Sequence, residues 1–178
     1  AQRRLVKILV STPEIEYGVF RPVAEVMAGS IIRELKRIGG MELLDPRDAE
    51  KRLAENGVKE MISSRELALE AGKILGADIV IYSTLRKSYD DFLYTITFLE
   101  VDRNVIQRRL KGKFRVSSSP AEIGRFMKEE TEKLVRYVPL PSELDDFGSV
   151  IREETVDPER LPPESMIDDL PERGMYGY

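Results

Sequence analysis

The chain has no cysteine, no histidine and no tryptophan. Without thiols there are no disulfides, no thiolate nucleophiles and no Cys-based zinc sites. Without imidazoles there is no Ser-His-Asp triad and no histidine-ligated metal or haem. Any chemistry would fall to carboxylates, Lys, Tyr or Ser acting alone. No apolar run approaches the roughly 18–20 residues of a membrane span. Glycine patterns that cradle phosphate, G-x-G-x-x-G and G-x-x-x-x-G-K-[ST], are missing too. Adjacent acids occur at Asp90-Asp91, Asp145-Asp146, Glu153-Glu154 and Asp168-Asp169. All lie in polar, loop-like sequence, whereas paired catalytic carboxylates come from separate elements lining a cleft. The expectation is a non-enzyme that needs no cofactor and no metal.

What remains is a charge-rich globular composition, 42% apolar and 34% charged over 178 residues. The net charge of −4 is unevenly placed. From Pro139 onward there are 11 acidic and three basic residues, so this stretch carries −8 and residues 1–138 carry +4. The same stretch holds six of the ten prolines. The division expected is an α/β domain over 1–138 and an acidic, Pro-rich arm or linker over 139–178. Leu144, Phe147 and Ile151 sit three and four apart in that arm, the spacing of one helical face, and are its expected anchors.

The run Gly76–Leu85 is the most apolar in the middle of the chain and reads as a central strand covered on both sides. Before it, Leu5–Val10 reads as a strand and Ser11–Gly18 as a loop. A helix follows from near Pro22 with Val23, Val26, Met27, Ile31, Leu35 and Ile38 inward, closed by Gly39-Gly40. Met41–Leu44 is a short strand. Asp45-Pro46 opens a second helix that buries Ala49, Leu53 and Ala54. Ser63-Ser64-Arg65-Glu66 is a capping box for a third helix, with Leu67, Ala71, Ile74 and Leu75 inward and Gly76 at its end. After the central strand, Arg86–Asp91 reads as a turn. Phe92–Val101 and Val105–Val116 then form a hairpin about Asp102-Arg103-Asn104, with Asn104 at positive φ. Ser119-Pro120-Ala121-Glu122 is a capping box for a last helix. Asp78 is expected to hold the turn into the central strand through backbone N–H groups.

The clearest polar pattern is in the last strand. Arg109, Lys111, Lys113 and Arg115 alternate with Leu110, Gly112, Phe114 and Val116, so all four cations share one face. Arg103 and Arg108 add to them, and no acid lies between Arg103 and Arg115. Three readings fit: a surface for an acidic partner, nucleic acid or small anion; an edge strand guarded by cations; or a face over which the acidic arm folds back. Tyr89, Phe92 and Tyr94 would supply stacking for nucleic acid, but the overall acidity argues against that partner.

Residues 64–116 resemble a bacterial envelope module found in the TolB amino-terminal domain, the curli secretion lipoprotein, the penicillin-binding-protein activator lipoprotein and flagellar outer-membrane accessory proteins. The resemblance rests on a helix ending in Leu75-Gly76-Ala77-Asp78, an apolar strand, and a hairpin turning after Val101-Asp102. The earlier elements fit the same order, extending it over roughly residues 5–137. Ser83 stands where the group often has glycine, and Ser11-Thr12-Pro13 where it often has Pro-Phe. The resemblance implies a β-α-β-α-α-β-β-β-α fold, a mixed sheet of about five strands with helices on its faces. It also implies a non-catalytic assembly, scaffold or partner-binding role, periplasmic or outer-membrane associated. Partners would be an envelope protein or a second copy, with membrane contact only through an anchor upstream of Ala1. A cytoplasmic module binding nucleic acid or a small anion on the basic strand is the alternative.

Overall fold

β-branched and aromatic residues build one mixed sheet with a separate apolar core on each face. The computed structural model describes residues 5–16, 19 and 21–135; the arm, with Leu144, Phe147 and Ile151, lies outside them. In chain order the elements are β1 (Val6–Val10), β2 (Glu14–Ile15), α1 (Arg21–Ile38), β3 (Met41–Leu43), α2 (Pro46–Glu55), α3 (Arg65–Leu75), β4 (Ile79–Ser88), β5 (Asp91–Glu100), β6 (Val105–Arg115) and α4 (Pro120–Val135). The sheet order is β3-β1-β4-β5-β6. β1 lies parallel to β3 and β4, and β4, β5 and β6 form an antiparallel meander. The expected architecture is present, with one addition. Within the expected loop, Glu14–Ile15 pairs parallel with Thr84–Leu85 beyond the end of β1.

Local signals set most boundaries. Asp45 caps α2, its carboxylate accepting from the Arg47 N–H at 2.9 Å, and Pro46 follows. Ser119 and Glu122 form the reciprocal box at the start of α4, at 2.8 and 3.2 Å. Gly76 closes α3 in the left-handed region at φ 69°, and Asn104 turns the last hairpin at φ 55°. The α3 start differs from expectation. Ser64, not Ser63, is the cap, accepting from Leu67 N–H at 3.2 Å, so the residue three beyond the cap is Leu67 and Glu66 closes no box.

The first core lies under α1 and α4, where Met27, Ile31 and Leu35 meet Ile8, Ile81 and Phe98. Val23 and Val26 are only half-buried, and Ile38 is exposed; Ala24 and Ala28 take the inward positions instead. The second core lies under α2 and α3, where Leu53, Ala68 and Leu75 meet Leu9, Val80 and Leu99. Ala54 of α2 is exposed, and Ala68 and Gly72 replace Leu67 and Ile74 as buried positions of α3.

Asp78 serves a different backbone from the one expected. Its carboxylate accepts from the Lys7 N–H of β1 at 2.8 Å, its own N–H donates to Lys7 O at 2.8 Å, and its carbonyl accepts from Val101 N–H at 2.9 Å. It ties β1, β4 and β5 together. Asp78→Ala is expected to cost about 1–2 kcal/mol, the scale of a half-buried donor left unsatisfied, read as a lower urea midpoint with unchanged slope.

Candidate functional site

The two faces of the sheet are not covered equally. α1 and α4 cover β4, β5 and β6 along much of one face, from Ile79 and Phe98 to Phe92 and Phe114. On the opposite face α2 and α3 reach only the first half of β4, the end of β5 and the start of β6, over Val80, Tyr82, Leu99, Val101 and Ile106. Beyond them the sheet lies open. β4 there presents Thr84, Arg86 and Ser88; β5 presents Leu93 and Thr95. β6 presents Arg109, Lys111, Lys113 and Arg115, three of them exposed and Arg109 half-buried.

Register explains the clustering. Lys113 pairs with Leu93, Lys111 with Thr95 and Arg109 with Thr97, and Leu93 pairs in turn with Arg86. Five cations therefore lie on neighbouring strands of one surface. Arg109 donates to Thr97 Oγ1 at 3.2 Å, and Lys113 lies 3.8 Å from the Asp91 carboxylate. Glu14 of β2 shares this face beside Thr84. The positive charge is therefore concentrated toward β6, which is the edge strand among the described residues.

Of the six cations singled out in the sequence, four are brought together here. A register shift opposite Phe98/Leu99 makes Phe98 pair with Arg108 and Leu99 with Ile106. That bulge lets Ile106 join the α2–α3 core while Leu110 and Phe114 join the α1–α4 core. Arg108 consequently points to the α4 side, apart from Arg109. Arg103 lies in the turn at the far end of the hairpin. Arg86 is the member that sequence reasoning missed. The polar run Arg86–Asp91 reads as a turn, yet β4 continues to Ser88 and only Tyr89-Asp90 bends the chain. Polar side chains at alternate positions there are the signature of a strand whose outer face is uncovered. Phe92 and Tyr94 are buried against α4 and cannot stack on a ligand; Tyr89 is exposed at the hairpin tip.

Buried acids elsewhere are structural. Tyr94 Oη donates to the Glu130 carboxylate within the α4 layer, and burial first, then the Glu130 charge, drives the phenol's pKa upward. Glu34 is held below the usual carboxylate range by the Arg37 guanidinium at 2.5 Å. Glu100 is pushed upward by burial, opposed by the 2.6 Å hydrogen bond from Gln107 Nε2 and by Arg103, and reinforced by Asp102 and Asp78. Gln107 Oε1 is buried and accepts no hydrogen bond. An amide at position 100 keeps the acceptor and offers that oxygen a donor. Because the folded pKa of Glu100 lies above its unfolded value, its ionised form destabilises the fold at neutral pH, and the cost fades as pH falls toward the unfolded value near 4.5. Glu100→Gln is expected to add about 1 kcal/mol at pH 7, with the gain shrinking toward pH 4.5 in denaturant melts at stepped pH.

An apolar cleft of about 260 Å³ lies between the end of β1 and α2, lined by Leu9, Leu53, Val58 and Ile62 with Ser11 and Thr12 at its rim. Among the described residues no group of acids is placed to hold a metal ion, and no helix is long and apolar enough to cross a membrane.

No protein-family model and no curated protein matches the sequence. Solved structures do share the fold. The lipoprotein GNA1162 from Neisseria meningitidis superposes with a TM-score of 0.54 at 16% identity, over 75% of this chain and 99% of its own. The LpoB C-terminal domain from Salmonella enterica gives 0.51 at 15% identity, over 65% of this chain and 85% of its own. TolB from Acinetobacter baumannii gives 0.51 at 10% identity, over 75% of this chain but only 28% of TolB, so the shared unit is one part of that protein. The module resemblance drawn from residues 64–116 thus extends, at the level of fold, across most of the described chain.

Proposed function

We propose that this chain is a non-catalytic protein-binding module of the bacterial cell envelope, periplasmic or outer-membrane associated, and that it docks an acidic partner on the open half-face of its sheet. The observation that carries the docking face is the grouping of Arg86, Arg109, Lys111, Lys113 and Arg115 on one flat surface that α2 and α3 leave uncovered. The envelope setting draws support from the fold shared with two lipoproteins or lipoprotein domains and with TolB. A flat, mixed surface of Thr, Leu and long cations suits protein contact, since Arg and Lys stems offer apolar area as well as charge. It suits single-stranded nucleic acid poorly. Stacking needs aromatic rings, and the residues of this open half-face, Thr84 to Ser88, Leu93, Thr95 and Arg109 to Arg115, present none to solvent.

Co-purification from an envelope extract tests the reading. The wild-type chain and an Arg33→Glu/Lys36→Glu control on the exposed side of α1 should retain the same partner protein, and Arg109→Glu/Lys111→Glu should lose it. Identical retention by all three, or retention abolished by nuclease, contradicts it.

A further inference from the structure

The open basic face has a candidate occupant within the same chain. Residues 139–178 follow α4 and carry −8 net charge, against +4 for residues 1–138. Where they depart from the fold matters. α4 begins just after β6, with Ser118 N–H on Arg115 O at 3.0 Å, and runs back along the β5–β6 pair. Phe126 stacks on Phe114, and one helical turn later Glu130 reaches Tyr94, whose neighbour on β6 is Gly112. The last turn of α4, ending at Val135, is therefore beside the middle of the edge strand. The acidic stretch starts a few residues beyond, and among the described residues no element shields the β6 edge.

The route from one face to the other is short. Passing around a sheet edge covers a layer spacing of about 10 Å. Forty extended residues span roughly 130 Å, so reach sets no limit. Charge sets the direction. The α1–α4 side offers Glu129, Glu130 and Glu132 beside its cations. The open half-face of β4–β6 offers five cations against Asp91 and Glu14.

We infer that residues 139–178 fold around the β6 edge and dock in cis on the open face of β4, β5 and β6, occupying the surface a partner would use. The arm is then an intramolecular competitor, and a partner must displace it to bind. That competition rests on the docking role proposed for this face; the contact itself does not. The arm's carboxylates would face Arg109, Lys111, Lys113 and Arg115, with sparse apolar residues such as Phe147 and Ile151 against the Leu93 and Thr95 stripe. Linked in this way, a contact too weak to hold between separate molecules is favoured by its high effective concentration.

The cysteine-free sequence allows a clean test on the full chain. Ser149→Cys, carrying a nitroxide label, is examined by NMR for broadening of backbone amides. Docking in cis predicts that Thr95, Thr97, Lys111 and Lys113 lose signal several-fold more than Glu25, Arg33 and Lys36 on α1. The loss should fade as salt is raised and should disappear in the Arg109→Glu/Lys111→Glu background, whose amide spectrum reports whether that variant is folded. Absence of broadening at low salt, or broadening centred on α1 and α4, overturns the inference. So does transfer of the broadening to an isotope-labelled, nitroxide-free chain mixed with a labelled one, which would place the arm on a second copy. If the broadening appears as predicted and no partner depends on the same cations, the contact stands and the docking role fails.

Discussion

Gly112→Ala is expected to lower the unfolding free energy by about 3 kcal/mol, at the upper end of the cost of overpacking a filled core. A Cβ at this position would stand 2.5 Å from Tyr94 Cζ and 3.1 Å from its Cε1, with the hydroxyl nearer still. The ring has nowhere to retreat. It is buried between the sheet and α4, and its hydroxyl is committed to Glu130. Gly112 must therefore be bare so that Tyr94 can lie across β6. For a domain of this size the loss corresponds to a fall in melting temperature on the order of 10 °C. A calorimetric scan reads it directly, and a shift of only a degree or two would mean that the ring repacks. Gly29→Ala serves as the comparison, since nothing lies within 4 Å of a Cβ added there; in mid-helix that change should be neutral or stabilising.

The second large effect falls on binding and leaves the fold nearly intact. Arg109→Glu/Lys111→Glu should weaken affinity for an acidic partner about 100-fold, near 2.7 kcal/mol. Each exposed pair is worth only about 0.2–1 kcal/mol, but reversal replaces attraction with repulsion at two neighbouring sites. Both side chains lie on the solvent side of β6, and Arg109 gives up one 3.2 Å hydrogen bond to Thr97. Stability should then change by no more than about 1 kcal/mol. The wild-type affinity should fall with added salt, because exposed charges are screened beyond about 8 Å at physiological ionic strength. Calorimetric titration at two salt concentrations measures both. An affinity unchanged by the reversal, or insensitive to salt, would show that the cations guard an edge strand and nothing more.

How much of this was legible in the sequence depends on how far each residue's partner lies along the chain. Asp45-Pro46, the Ser119–Glu122 box, Gly76 and Asn104 act within a few residues of themselves, and each is where the pattern puts it. The alternation of Arg109, Lys111, Lys113 and Arg115 is equally local. The pairing of Glu14-Ile15 with Thr84-Leu85 spans about seventy residues and leaves no local trace in a two-residue strand. Asp78 is similar: its acceptor role toward Lys7 crosses from β4 to β1. The bulge that separates Arg108 from Arg109 is set by two cores competing for one strand, and no single position announces it. Arg86 was hidden for a different reason. A half-covered strand is apolar where helices lie over it and polar where they do not, so the outer half of β4 imitates a loop. The feature that obscured the strand is the one that exposes the candidate surface.

The most direct test of that surface is photo-crosslinking in cells, with a benzophenone amino acid at Thr95 or Lys111 on the open face and at Glu25 or Arg33 on α1. The open-face positions should each give a discrete crosslink to the same envelope protein, diminished by Lys113→Glu, and the α1 positions should give none. Crosslinks arising equally from both faces, or from α1 alone, would contradict the assignment of the basic half-sheet as the docking site.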